Sequence, residues 1–193
     1  MTEAETRQQI ILAAFKIAAE KGFANLSMND LVRASGVSKG GIYWHFKSKD
    51  EIIRAMFDYV LAAQISIVDA TLSETGSATE KLRRIFRLAE QAAAGQFASP
   101  LDLYALAAHD KTLSQRLVGY FDSYQQRIAL LVQQGIDEGT FAPHDPDLSA
   151  MNIISLLEGV FLVGLSFTPM RDFGAQVENA VTLLLEGLSK REL

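Results

Sequence analysis

Cysteine is absent from the 193 residues, which removes disulfides, thiolate metal sites and a cysteine nucleophile. Histidine occurs only as His45, His109 and His144, too scattered for a metal centre. Proline is scarce. Pro100, Pro143, Pro146 and Pro169 all follow residue 99, so nothing in the first half of the chain forces a helix to break. Sustained period-two alternation of β-branched residues is missing, which argues against sheets. No phosphate-binding loop, zinc-binding His-Glu-x-x-His or nucleophile elbow occurs, so neither an enzyme nor a bound cofactor or metal is expected. The N-terminus is polar and acidic, unlike a secretory signal. The most apolar run, Ile153 to Phe167, reads as too short for a bilayer and contains Glu158. A cytoplasmic protein without a membrane anchor is expected.

What remains is almost entirely helical periodicity, and the fold class expected is all-α. The first helix reads from about Glu5 to Lys21, with Ile10, Ala14, Ile17 and Ala18 on one face and Gly22 as its stop. Ser27 starts a second, short helix that ends at Gly36. Ser38 caps a third through His45. Ser48-Lys49-Asp50-Glu51 fits a capping box that opens a fourth. No glycine or proline interrupts residues 48–75, so that helix can physically connect the N-terminal module to the rest. Later helical segments read near 79–94, 100–109, 112–138, 147–167 and 172–189. In the 112–138 segment, Leu113, Leu117, Tyr120, Tyr124, Ile128 and Leu131 form one stripe, and Gly135 leaves a gap on it.

Charge is unevenly spread. The chain carries a formal −5, yet residues 1–50 hold seven basic and five acidic side chains. A small basic module on an acidic body follows.

The informative stretch runs from Ser27 to Phe46: two short helices joined by a tight turn, with Gly36 suited to a left-handed conformation. Leu31, Val37, Ile42 and Phe46 can pack these helices together. The third helix begins Ser38-Lys39-Gly40-Gly41, which combines a capping hydroxyl, a cation and two positions without side chains. Helix N-termini attract phosphate, and glycine permits close approach to DNA. Tyr43, Trp44 and His45 follow, with Lys49 beyond them; Lys47 reads as a solvated charge. Tyr43 and Trp44 also have ordinary packing readings, and Phe46 reads as core.

These residues resemble the DNA-binding domain of TetR-family regulators. The resemblance covers about residues 4–64, with the helix-turn-helix at 27–46, and rests on Thr6-Arg7-Gln8-Gln9-Ile10-Ile11, Gly22-Phe23 and Gly36-Val37-Ser38-x-Gly40-x-Ile42-Tyr43-x-x-Phe46-x-x-Lys49. Val32 and Ser35 stand where the family usually has small alanines. The resemblance implies a three-helix DNA-binding domain over 1–50 and a helical ligand-binding and dimerisation domain over 51–193. It implies that Ser27 and the start of the second helix touch phosphate and that Ser38 opens the reading helix. Lys39, Gly40 and Gly41 would face the major groove. Tyr43, His45 and Lys49 would meet backbone phosphates, with Trp44 beside them. Gly41 replaces the family's frequent threonine or serine, so one hydroxyl contact would be missing.

The resemblance further implies a homodimer formed by the last two helices, where Gly159 and Gly164 would allow close approach, although they can equally serve packing within one subunit. It also implies a body cavity for a small, largely apolar effector, for which Tyr59, Phe86, Tyr104, His109, Tyr124 and Phe161 are candidate linings. Each of these six can equally be plain packing. His109-Asp110 reads as a helix cap, and Asn152 and Glu158, if buried, need partners. The function implied is a repressor of a pseudo-palindromic double-stranded operator, released by its effector. A helical ligand-binding or adaptor protein that no longer reads DNA is the alternative.

Overall fold

The computed structural model describes residues 2–94, 100–166 and 172–189. Within them lie α1 (Glu3–Lys21), a 3-10 turn at Phe23–Asn25, α2 (Met28–Ser35), α3 (Lys39–His45) and α4 (Lys49–Leu72). The chain continues with α5 (Ala78–Ala94), α6 (Pro100–His109), α7 (Lys111–Asp137), α8 (Pro146–Ser166) and α9 (Phe173–Leu188). No strand forms among the described residues; a single bridge pairs Phe141 with Ser189. The end of the 147–167 segment, Phe167, lies outside them.

Side-chain caps set most boundaries. α1 starts earlier than its periodicity suggests, because Thr2 and Glu5 make a reciprocal capping box. Ser27 caps α2, and Gly36 closes it at φ +69°. At α4 the capping box is only half made. Ser48 Oγ accepts from Glu51 N, but the Glu51 carboxylate accepts from Lys47 N at 2.6 Å rather than from Ser48 N. Asp145 caps α8 through Asp147 N and Leu148 N, and Asp172 caps α9.

The chain divides into two compact units. Among the described residues, one holds 2–61 and 100–114, the other 62–94, 115–166 and 172–189. In the first, the α1 face formed by Ile10, Ala14, Ile17 and Ala18 meets Leu31, Ile42, Phe46, Ile52 and Met56 in one buried cluster. Val37 packs against it, half-buried. Gln9 Nε2 donates to Ser35 O at 2.6 Å, fastening α1 to the end of α2. Ser35 is buried, and its hydroxyl donates to Leu31 O and accepts from Val37 N. The serine in place of the family's alanine therefore helps close the turn.

In the second unit α9 packs on α5 and α8. The α7 stripe is buried apart from half-buried Leu117. The gap at Gly135 is filled from beyond the helix: a Cβ there would overlap the Phe141 ring, and Gly135 O accepts from both Thr140 N and Phe141 N. Gly164 meets Phe173 in the same way, so its smallness serves packing within the chain.

One expectation changes. α4 and α8 are both long and apolar enough to cross a bilayer by length and composition. The helix that carries the Ile153 run begins at Pro146, so the length of the run alone excludes nothing. Its inner residues Ile153, Ile154, Leu157, Val160 and Phe161 are buried in the helical body.

Candidate nucleic-acid interface

A seven-residue helix with two glycines is weak on propensity alone. α3 forms because it is held at three points. Ser38 Oγ accepts from Gly41 N at 3.1 Å, Ile42 is wholly buried, and Lys47 Nζ donates to Tyr43 O and Trp44 O at 3.2 and 3.3 Å. Lys47 is thus a cation on the carbonyl end of α3, where the helix dipole favours it. The reading of Lys47 as merely solvated is corrected.

Held this way, α3 presents Lys39, Gly40, Tyr43 and Trp44 to solvent, with Tyr43 41% and Trp44 60% exposed. The Trp44 ring stands edge-on to His45 at 4.7 Å, and His45 and Lys49 are half-buried. Phe46 is fully buried, with the Arg7 guanidinium 4.9 Å over its ring. The two glycines differ. A Cβ on Gly40 would meet nothing within 4 Å, whereas one on Gly41 would lie 2.9 Å from Val37 Cγ1. Gly41 has a reason inside the fold; the protein's own packing supplies none for Gly40, which leaves room for close approach from outside.

Ser27 is exposed, and its hydroxyl donates to Asp30 Oδ2 at 2.6 Å. Hydrogen bonds from Ser27, Lys21 and Arg33 hold the Asp30 carboxyl down to about 2. A depressed carboxylate adds stability that is complete above its unfolded value near 4 and fades as pH falls through about 2. The melting-temperature deficit of Asp30→Asn is accordingly expected to be full at neutral pH and to shrink between pH about 4 and 2. Thermal melts across that range check it; a constant deficit would show that the charge does not stabilise α2.

Asn29, Val32 and Arg33 line a groove together with Lys39. The start of α2 was expected to touch phosphate together with Ser27; Arg33, one turn beyond Asn29, was not among the expected residues. The i, i+4 spacing of Asn29 and Arg33 was the available signal that α2 also offers this side.

The six body candidates do not gather in one described cavity. In the first unit, Tyr59 packs on the core with its ring 5.9 Å from Phe15, Tyr104 is half-buried, and exposed His109 lines a cleft beside Asp110. Asp110 does the capping expected of that pair. Its Oδ1 accepts from Thr112 N and Leu113 N, and its Oδ2 holds Arg54 at 3.0 Å. In the second unit Phe86 and Tyr124 are buried, and Phe161 sits edge-on to Phe173 at 5.3 Å. Burial, then the Glu158 carboxylate, pushes the Tyr124 phenol far up. Tyr124 therefore stays protonated. Glu158 is half-buried, and Asn152 is exposed.

Comparison with known proteins matches this architecture in both parts. Residues 10–56 match the profile of the bacterial regulatory proteins of the tetR family, and residues 78–189 match that of the BetI-type transcriptional repressor C-terminal domain. The chain belongs to the TetR family. This TetR-family chain is 32% identical over 153 residues to the uncharacterized HTH-type transcriptional regulator YfiR of Bacillus subtilis (strain 168), covering 74% of its own length and 71% of YfiR. The TetR-family regulator of Cytophaga hutchinsonii superposes with a TM-score of 0.79 at 25% identity over 98% of each chain. A regulator from Saccharomonospora viridis, solved with choline, superposes at 0.81 over 97% of this chain and 100% of that one; its 20% identity speaks for the fold alone. As a TetR-family member the protein is a helix-turn-helix transcriptional regulator that binds operator DNA, in a family of ligand-responsive, typically dimeric repressors.

Proposed function

We propose that this protein is a two-fold homodimeric repressor that sets α3 of each protomer into successive major grooves of a pseudo-palindromic operator, and that a small, largely apolar effector releases it. Residues 1–50 read DNA, and 51–193 bind effector and dimerise. The observation that carries the reading is α3 itself: Lys39, Gly40, Tyr43 and Trp44 stand clear of a core that fixes Ile42 and Phe46 completely. Lys39 and Gly40 face base edges; Ser27, Ser38, Tyr43, His45 and Lys49 meet phosphate or steady the groups that do. Effector binding shifts the tilt of α4 and with it the spacing of the two reading helices.

Two protomers are needed because one short helix makes few contacts, whereas two about 34–36 Å apart read one operator. α8 carries exposed Leu148, Met151 and Val163 at helical spacing around Gly159, and α9 carries Leu183 at 60% exposure beside Gly187. A Cβ on either glycine meets nothing within 4 Å, so both leave room for a second copy's helices. Leu183→Glu is expected to convert the dimer to monomer in analytical ultracentrifugation at micromolar concentration. The same variant should lose the mobility shift of DNA flanking its gene. A dimer that persists in this variant removes the α8–α9 face from the interface.

A further inference from the structure

A cleft of about 470 Å³ opens in the first unit among the end of α1, the start of α4, and α6. That volume lies within the usual range of small-molecule sites. Phe23, Ile53 and Leu106 give it apolar walls, and Asp50, Arg54 and Asp110 give it charge. The last two cancel, since the Arg54 guanidinium sits 3.0 Å from the Asp110 carboxylate. Arg54 and, to a lesser degree, the Leu113 amide hold that carboxyl below its ordinary range. Asp50, in the first turn of α4, is exposed and has no cation or hydrogen-bond donor among the described residues. The cleft therefore combines apolar walls with one carboxylate, Asp50, that no side chain among the described residues pairs.

We propose that this cleft binds an apolar monocation, its body against Phe23, Ile53 and Leu106 and its charge toward Asp50, and that filling it weakens operator binding. The proposal rests on the reading of the chain as an effector-released repressor and adds, to the body assigned to effector binding, a site that draws Phe23 and Asp50 from the DNA-reading residues. Phe23 and Ile53 belong to the same buried cluster as Ile42 and Phe46, which hold α3, and Leu106 packs against that cluster. A molecule wedged between Leu106 and that cluster favours arrangements in which α6 stands off from it. Its effect on DNA binding is limited by how much better it fits those arrangements.

Tetraphenylphosphonium and tetraphenylborate, nearly equal in shape and apolar area and opposite in charge, test this by isothermal titration into the full-length protein. The phosphonium should bind at least about tenfold tighter than the borate, because only one sign is attracted to Asp50. Asp50→Asn should weaken the phosphonium about fivefold, the range of a partly exposed ion pair. Ala105→Trp, at an exposed position on the cleft wall, should abolish binding with no fall in Tm. The phosphonium should reduce the operator mobility shift of wild type and leave that of Ala105→Trp unchanged. Equal binding of the two ions, undiminished binding by Ala105→Trp, or occupancy with no change in operator affinity overturns the proposal. If wild type shifts no operator DNA even without the ion, the repressor reading fails instead, and the titrations alone decide whether the cleft takes a cation.

Discussion

Lys39→Ala combined with Tyr43→Ala is expected to lower operator affinity by about 100-fold or more, with melting temperature and oligomeric state unchanged. Each lost base or phosphate contact costs about 1–3 kcal/mol, and a two-fold dimer loses each contact twice. Stability should hold because both side chains are exposed, and exposed substitutions away from caps and cores are usually near neutral. The α3 cap also survives, since Lys47 binds the carbonyl of Tyr43 and not its ring. Because Lys39 is placed at base edges, its loss should also relax sequence specificity at the bases it faces. Undiminished affinity in a folded double variant would sink α3 as the reading helix.

The largest effect on folding is expected where α7 ends. Phe141→Ala removes a ring that is 3% exposed, and buried Phe→Ala changes cost about 3–5 kcal/mol. Gly135→Ala acts from the other side. Its methyl overlaps that ring, and overpacking of this kind costs about 1–3 kcal/mol. The two should not add, because the space left by the ring accommodates the methyl. Denaturant unfolding of both single variants and the double variant should give a coupling of about 0.5–3 kcal/mol in favour of the double. Strict additivity would show that Gly135 is small for a reason other than Phe141.

The order of the helices was legible because their boundary chemistry is local. Ser27, Gly36 and Ser38 act within four residues of their own positions, which a linear sequence displays. The Thr2–Glu5 capping box is equally local, but the apolar period of α1 starts later and sets a later apparent boundary. Partners distant in the chain were not legible. Gly135 read as an empty place on the stripe because its occupant, Phe141, lies beyond the helix end. The diverted Glu51 carboxylate depended on which backbone amide was nearer, a matter of turn geometry rather than of the Ser-x-x-Glu pattern. At the interface, the outward placement of Tyr43 and Trp44 followed from the burial of Ile42 and Phe46. The groove that joins Asn29 and Arg33 to Lys39 needed the crossing of α2 and α3. The cleft beside Asp50 brings residues 23, 50 and 106 together, separations at which sequence spacing carries no signal.

Asp110 divides its labour by oxygen: Oδ1 serves the amides at the start of α7, and Oδ2 serves Arg54 on α4. The two attachments can therefore be released in different combinations. A competing anion that draws the arginine away leaves the amides of Thr112 and Leu113 satisfied, so α7 keeps its beginning while α4 loses this one tie. Acid strong enough to neutralise the carboxyl weakens both at one stroke. The link to α4 can thus be undone without uncapping α7, but protonation cannot do the reverse.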